Sequence, residues 1–68
     1  MDRQQVSSSN IRSIGWEDDV LEVEFLTGTV YQYTEVPHDV YEEFVTATSV
    51  GKFFHVNIKG MYQYTKVN

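Results

Sequence analysis

Two alternating segments separated by Thr27 and Gly28 constrain the fold more than any other feature of this chain. In VLEVEFL, residues 20–26, apolar side chains alternate with acidic ones, and TVYQYT, residues 29–34, alternates in the same way. A period of two is typical of strands that bury one face of an antiparallel sheet. The pair therefore predicts a β-hairpin that turns at Gly28.

The length of the loop at Gly28 decides which face of the second strand is buried, because a slip of one residue turns every side chain over. A two-residue loop would turn Tyr31 towards solvent. A three-residue loop would pair Tyr31 with Val23 and place Tyr33 on the same apolar face. We favour the three-residue loop, because the shorter type I′ turn would also need a positive φ at Thr27, which a β-branched residue resists.

Helical spacing replaces alternation after the hairpin. In VPHDVYEEFVTAT, Pro37 suits the first turn of a helix, and the apolar residues that follow recur at helical intervals, which predicts a helix of about three turns. Residues 49–58 fit either a strand or a short helix capped by Ser49, and we favour the helix. The segment MYQYTKV, residues 61–67, is typical of a last strand.

A strand before the hairpin is predicted by Ile14 and Trp16, which lie two residues apart. Together these elements predict an α+β fold, with a small antiparallel β-sheet of three to four strands packed by one three-turn helix and a second short helix. We expect residues 1–5 to form a disordered N-terminal tail and residues 6–68 to form a single domain.

The core has to come from apolar side chains, because the 68-residue chain contains no cysteine for a disulfide or a thiolate zinc site. The two histidines, His38 and His55, are not expected to hold a metal, and no cofactor is expected. The N-terminus lacks the apolar run of a signal peptide, and no segment is long enough to span a bilayer. We therefore expect a soluble, cytoplasmic protein with no membrane partner.

Charge is distributed unevenly along the chain. Residues 1–49 contain ten acidic residues and two arginines, a net charge of −8, whereas residues 50–68 contain three lysines and no acid, a net charge of +3. Such an asymmetry can mark an anion-binding surface on an acidic body. The alternative is that these lysines only solvate one edge and offset the acidic residues.

A helix over residues 50–58 would align Lys52, His55 and Lys59 along one face. Cations interleaved with aromatic rings are what single-stranded nucleic acid requires, since lysines contact phosphates and rings stack on bases. The candidate binding residues are Lys52, His55, Asn57, Lys59, Tyr62, Tyr64, Tyr31 and Tyr33.

The motif YQYTEV at residues 31–36 has an echo, YQYTKV, at residues 62–67. The segments around the two copies share no pattern, so an internal duplication is not indicated. We interpret the echo as two aromatic-rich strands that pack alike.

An ordered set of short motifs resembles the KTSC domain family. The matching pieces are Ser8-Ser9 before Ile11, Phe25 with Gly28, Tyr31-x-Tyr33, Val36-Pro37, Tyr41, Ser49-x-Gly51, Phe54, Asn57-Ile58 and Tyr62. The family occurs at the C-terminus of some bacterial lysyl-tRNA synthetases and as stand-alone proteins of bacteria and phages. The resemblance implies no established activity. It suggests RNA binding only through the synthetase fusion, and a stand-alone copy has room for another partner, such as a bacterial or phage defence component.

No motif indicates catalysis, because the chain lacks a nucleophile elbow, a phosphate-binding glycine loop and a zinc-protease motif. We expect a non-catalytic interaction module that binds a partner, a protein or RNA, through its acid-free C-terminal surface. An RNA- or tRNA-binding accessory domain and a self-associating homodimer are the alternatives. Structural roles are expected for Ser8, Ser9, Gly28, Pro37, Gly51 and Phe54, with the two serines tying the N-terminal arm to the second helix.

Overall fold

The structure is a computed structural model that describes residues 1–68. Its strands are β1 (Arg3–Gln5), β2 (Ile11–Glu17), β3 (Val20–Phe25), β4 (Val30–Tyr33) and β5 (Tyr64–Lys66), and its helices are α1 (His38–Val45) and α2 (Val50–Phe53), which continues as a π-helical turn over Phe54–Ile58. All five strands join one antiparallel sheet in the order β1-β2-β3-β4-β5. The predicted α+β class is confirmed, with one strand more than expected.

The β3–β4 hairpin has the register that the three-residue loop predicts. Leu21 pairs with Tyr33 and Val23 pairs with Tyr31. Gly28 closes the loop with a φ of 95°, a conformation that favours glycine. Both tyrosines therefore belong to the face that also carries the apolar residues of β3.

The β2–β3 hairpin turns more tightly, through Asp18 and Asp19 alone. Both residues have positive φ angles, 51° and 66°, as a two-residue type I′ turn requires. At the other end of β2, the pairing shifts between Ile11 and Ser13, which marks a β-bulge at Arg12. The bulge keeps Ile11 buried beside the residues of β3.

Strand β1 forms where the sequence predicts a disordered tail. Residues Arg3–Gln5 pair with β2, with Arg3 opposite Gly15. The Arg3 guanidinium donates hydrogen bonds to the Ser13 hydroxyl, at 3.0 Å, and to the Glu22 carboxylate. All three residues of β1 are exposed, so the strand is held by polar contacts that hydrophobic periodicity does not detect.

Glu22 is only 9% exposed although it lies on the sheet face away from the helices. Burial alone would raise the pKa of its carboxyl group. Hydrogen bonds from Gln32 and Arg3, together with the charge of Arg3, outweigh burial and lower the pKa. The pair with Arg3 thus fastens β1 to β3 across the intervening strand.

The apolar face of the sheet packs against both helices. The core consists of Ile11, Ile14, Leu21, Val23, Tyr33, Val36, Phe44, Val50, Phe54 and Ile58. Trp16 fixes the entry to α1, because its indole N–H donates to the Val36 carbonyl at 2.8 Å. Pro37 is the residue before the helix, which at eight residues is shorter than the predicted three turns.

Residues 50–58 are helical, which confirms the favoured alternative. The Ser49 hydroxyl accepts a hydrogen bond from the Lys52 N–H at 3.3 Å and so caps α2. The helix then widens, since the Lys59 N–H donates to the Phe54 carbonyl five residues earlier, at 2.9 Å. Neither helix is long and apolar enough to cross a bilayer.

Candidate binding groove

An open groove lies between the β4–β5 side of the sheet and the π-helical turn. We call it the aromatic groove, and its volume is about 310 Å³. It is lined by Asn10, Phe25, Tyr31, Tyr33, Phe54, His55, Lys59, Gly60 and Tyr64.

Rings in mutual contact form the wall of the aromatic groove. Tyr31 meets Phe25 and Tyr64 edge to face, with centroids 5.9 and 5.3 Å apart. Phe25 and Phe54 make a further edge-to-face contact at 5.4 Å. Edge-to-face pairs at these distances contribute energy beyond their buried area and hold one another in place. The wall is therefore a preformed surface.

The tyrosines of the wall differ in exposure. Tyr33 is only 4% exposed and belongs to the core, Tyr31 is half-buried, and Tyr64 is 61% exposed. Burial raises the pKa of the Tyr33 hydroxyl to about 12, and nearby Tyr31 and Tyr64 add to the effect. Tyr33 is thus held within the core, while Tyr64 offers the most exposed ring of the three.

The repeated tyrosine motifs explain how so many rings reach one place. Strands β4 and β5 are neighbours, with Tyr33 opposite Tyr64 and Tyr31 opposite Lys66. Residues directly opposite one another in an antiparallel pair share a face of the sheet. The two echoed segments therefore lie side by side, and Lys66 shares the face of the tyrosines.

The π-helical turn sets the cationic side of the groove. Widening the helix after Phe53 keeps Phe54 and Ile58 in the core, and the backbone becomes extended at Lys59. His55 and Lys59 then both line the groove. None of the ten acidic residues of the chain lines it. The groove is thus an acid-free site in an acidic protein.

The structure divides the eight candidate binding residues. Five of them line the aromatic groove: Tyr31, Tyr33, His55, Lys59 and Tyr64. Lys52 and Asn57 lie instead on a separate surface with Phe53 and Val56. Tyr62 is half-buried and packs against the core. The single stripe expected from α-helical spacing does not form, because the turn after α2 is wider than an α-helix and ends before Lys59.

Four groove residues were absent from the candidate binding set. Phe25 could have been found from the hairpin register, which puts it on the face of Tyr31, whereas Phe54 was assigned only a structural role. Asn10 and Gly60 carry no sequence signal that points to the groove. Asn10 is packed tightly, since a Cβ atom at Gly51 would lie 3.0 Å from its Oδ1.

Ser8 stabilises its own turn instead of bonding the second helix. Its hydroxyl donates to Asn10 Oδ1 at 2.9 Å and accepts from the Ile11 N–H at 3.3 Å. Ser9 is exposed. The N-terminal arm therefore contacts α2 by packing Asn10, and less closely Ser8, against Gly51, without a hydrogen bond from either serine.

A group of potential metal ligands lies on the first turns of α1. Ligand atoms of His38, Asp39 and Glu42 lie within 4.8 Å of one another, and all three side chains are exposed. His38 also faces Glu42 at 3.7 Å and meets the Trp16 ring at 4.7 Å. Exposed acidic groups at this spacing are common without an ion, so the group does not indicate a metal centre.

Comparison with known proteins decides the family. A family model of the KTSC domain matches residues 7–64. The chain belongs to the KTSC domain family. This confirms the resemblance, and a crystal structure of a KTSC domain protein from Yersinia pestis has the same fold. That protein is 43% identical, with a TM-score of 0.91 over 98% of this chain and 97% of the other.

Two further relatives match the chain over its full length and over part of it, respectively. An uncharacterized protein of Stutzerimonas stutzeri is 37% identical over the full length of both chains. A second match, over 48 residues, is 44% identical to part of the lysine–tRNA ligase of Trichormus variabilis. The matched segment covers 71% of this chain but only 9% of the ligase. Family membership thus establishes a small single domain and leaves its biochemical role open.

Proposed function

We propose that this KTSC domain is a non-catalytic protein-interaction module whose partner binds in the aromatic groove. One observation carries the proposal: an accessible tyrosine lies beside Lys59 and His55 in a groove that no acidic side chain lines. Tyrosine is enriched among the residues that dominate binding energy at protein interfaces, because its large ring loses little conformational entropy.

The shape of the groove supports binding rather than chemistry. Its volume of about 310 Å³ is at the lower limit for a small-molecule site, and it is open along the sheet. Such a groove accepts a few side chains of a partner but does not exclude water around a substrate.

Affinity capture from a native host lysate tests the proposal. The wild-type protein is expected to retain a partner protein that Lys59→Glu and Tyr64→Ala lose. Lys52→Glu makes the same charge change outside the groove and is the matched control, so it should retain the partner. Equal retention by Lys59→Glu and Lys52→Glu, or no partner protein at all, contradicts the proposal.

RNA binding is the second candidate function, and two observations favour it. Rings suited to base stacking lie beside cations, and part of the chain is similar to lysine–tRNA ligases. Against it, residues 1–49 carry a net charge of −8 that repels a polyanion.

Binding of polyuridylate and of a tRNA mixture at low salt tests the second candidate. RNA binding through the groove predicts affinity that falls steeply with salt and is weakened by Lys59→Glu more than by Lys52→Glu. If neither RNA binds at low salt, this candidate is eliminated.

A further inference from the structure

We propose that the partner contributes an extended acidic peptide segment, which binds as a sixth strand on the free edge of β5. This inference rests on the proposed function and adds the mode of binding and the chemistry of the ligand. The added strand would lay alternate side chains over Tyr64 and carry a carboxylate to Lys59 or Lys66.

The outer edge of β5 has unused backbone groups. Strand β5 is last in the sheet and pairs only with β4. The Gln63 carbonyl accepts from the Thr34 N–H at 3.0 Å, and the Val67 N–H donates to the Val30 carbonyl at 2.8 Å, so both residues face β4. Backbone groups alternate in direction along an antiparallel strand, so those of Tyr64 and Lys66 point away from the sheet.

These outward groups favour a polypeptide over RNA. The two N–H and two C=O groups at alternate residues match the spacing of a second peptide backbone. A phosphate can accept hydrogen bonds from N–H groups but cannot donate to the carbonyls. A strand also brings fewer negative charges towards the acidic body of the protein than a nucleic acid does.

The side chains at this edge favour a ligand that carries acidic residues. Lys66 shares the sheet face of Tyr31, and Lys59 lines the groove beneath the same face. An added strand projects every second side chain onto this face. Because neither lysine forms a salt bridge within the chain, carboxylates of the partner would meet them without competition.

The opposite edge of the sheet provides an internal control. The Val6 N–H donates to the Arg12 carbonyl at 3.0 Å, so the backbone groups of Arg3 and Gln5 point outward from β1. This edge is equally unpaired, but Arg3 is engaged with Glu22, and the aromatic groove lies at the other side of the sheet.

The test begins with a phage-displayed library of random peptides, from which binders of the wild-type protein are selected. The peptides are about ten residues long, the length of a long strand. Enriched peptides are expected to carry acidic and aromatic residues at alternate positions. Amide hydrogen exchange, followed by NMR on the full chain, then compares the free and peptide-bound protein. The Tyr64 and Lys66 amides should exchange fast when free and slowly when bound, while those of Arg3 and Gln5 stay fast.

Two substitutions at one position separate the backbone from the side chain. Lys66→Ala removes the charge and keeps the N–H group, whereas Lys66→Pro removes both, and proline is tolerated where an edge N–H faces solvent. We expect Lys66→Pro to bind the peptide about five- to tenfold more weakly than Lys66→Ala, the effect of one lost hydrogen bond. Gln5→Pro makes the same backbone change on β1 and should leave affinity unchanged.

The outcomes distinguish this inference from the proposed function. Peptides that shift the resonances of Lys59 and Tyr31 but leave the Tyr64 and Lys66 amides unprotected overturn strand addition and leave the groove as a protein-binding site. A captured partner protein without any enriched peptide also overturns strand addition alone. Groove binding by polyuridylate with no peptide or protein ligand overturns both.

Discussion

Three residues other than glycine adopt a positive φ: Asp18, Asp19 and Glu35, at 51°, 66° and 59°. A Cβ atom makes this region unfavourable, and aspartate tolerates it better than most residues because its short side chain bonds to nearby backbone. Each of these residues lies in a tight connection where the chain direction changes. At these positions the Cβ atom strains the backbone, so a residue without one would stabilise the turn.

Replacing Asp19 with glycine is expected to raise the free energy of unfolding by about 0.5–1 kcal/mol, because glycine adopts the second position of a type I′ turn without strain. Urea denaturation measures the change. Asp39→Gly removes the same charge within α1, where glycine lowers helix stability, and should lower the free energy of unfolding. Stabilisation by both substitutions would point to charge repulsion rather than backbone strain.

Tyr33 is expected to make the fold sensitive to strong alkali. Its pKa is raised from an ordinary value of 10.0 to about 12 by burial and by the neighbouring Tyr31 and Tyr64. The unfolded chain therefore loses this proton first as the pH rises. The stabilising contribution is complete below pH 10 and is lost as the pH rises towards 12.

Urea denaturation between these pH values, on wild type and Tyr33→Phe, measures this contribution. Phenylalanine has no hydroxyl to titrate, so the difference in unfolding free energy between the two proteins should shift in favour of Tyr33→Phe above pH 10. A difference that stays constant with pH would show that the Tyr33 hydroxyl ionises equally well in the folded and unfolded protein.

Among the elements, the central hairpin was predictable and the first strand was not. Alternation set the faces of β3 and β4, and the conformational needs of Gly28 set their register, both of which are local properties. Strand β1 is polar and exposed, and it depends on the partners Ser13 and Glu22, which lie far along the chain. Its formation is a tertiary effect that a local pattern does not contain.

Gly15 is the residue that lets β1 approach β2. A Cβ atom there would lie 2.6 Å from the Asp2 carbonyl oxygen and 2.9 Å from Arg3 Cγ, closer than any van der Waals contact. Gly15→Ala is expected to displace β1 and to lower the free energy of unfolding by about 1–3 kcal/mol, as overpacking does. Urea denaturation measures the loss.

A variant that lacks residues 1–5 provides the control for Gly15→Ala. Without β1 there is no backbone to clash with, so the substitution should cost close to nothing in that background and its effects should be strongly non-additive. An equal cost with and without β1 would place the strain of the alanine elsewhere in β2.

The tyrosines on the sheet side of the aromatic groove were easier to predict than its cationic side, which depends on the geometry of the second helix. Alternation and the loop at Gly28 placed Tyr31 and Tyr33 on one sheet face, whereas the position of Tyr64 opposite Tyr33 came from the structure. The cationic stripe assumed the period of an α-helix throughout, and the π-helical turn breaks that period after Phe53. Since a π-helical turn has no reliable sequence signal, the separation of Lys52 from Lys59 emerged only from the structure.

For the molecule as a whole, Phe54 joins the sheet to both helical segments. Its ring lies 5.4 Å from that of Phe25 and 6.2 Å from that of Phe44. Phe54→Ala is expected to cost about 3–5 kcal/mol. A domain of this size has about 3–10 kcal/mol of total stability, so this loss removes a large share of it and should lower the melting temperature strongly. Circular dichroism during thermal denaturation measures the change.

Val56→Ala is the matched control for Phe54→Ala, because Val56 belongs to the same turn but is 62% exposed. It should unfold close to the wild-type temperature. Phe54→Leu retains most of the apolar volume and should fold, which makes it the variant for binding tests at the groove. Equal melting temperatures for Phe54→Ala and Val56→Ala would mean that the helices and the sheet do not depend on this ring.

The sequential order of the strands also governs how the domain could be carried by a larger protein. Strand β1 lies near the N-terminus at one margin of the sheet, and β5 lies near the C-terminus at the other. A flexible tether joined ahead of β1 would hold the domain from the side remote from the tyrosines. Their side would then project into the surroundings, available to bind without obstruction from the attached body.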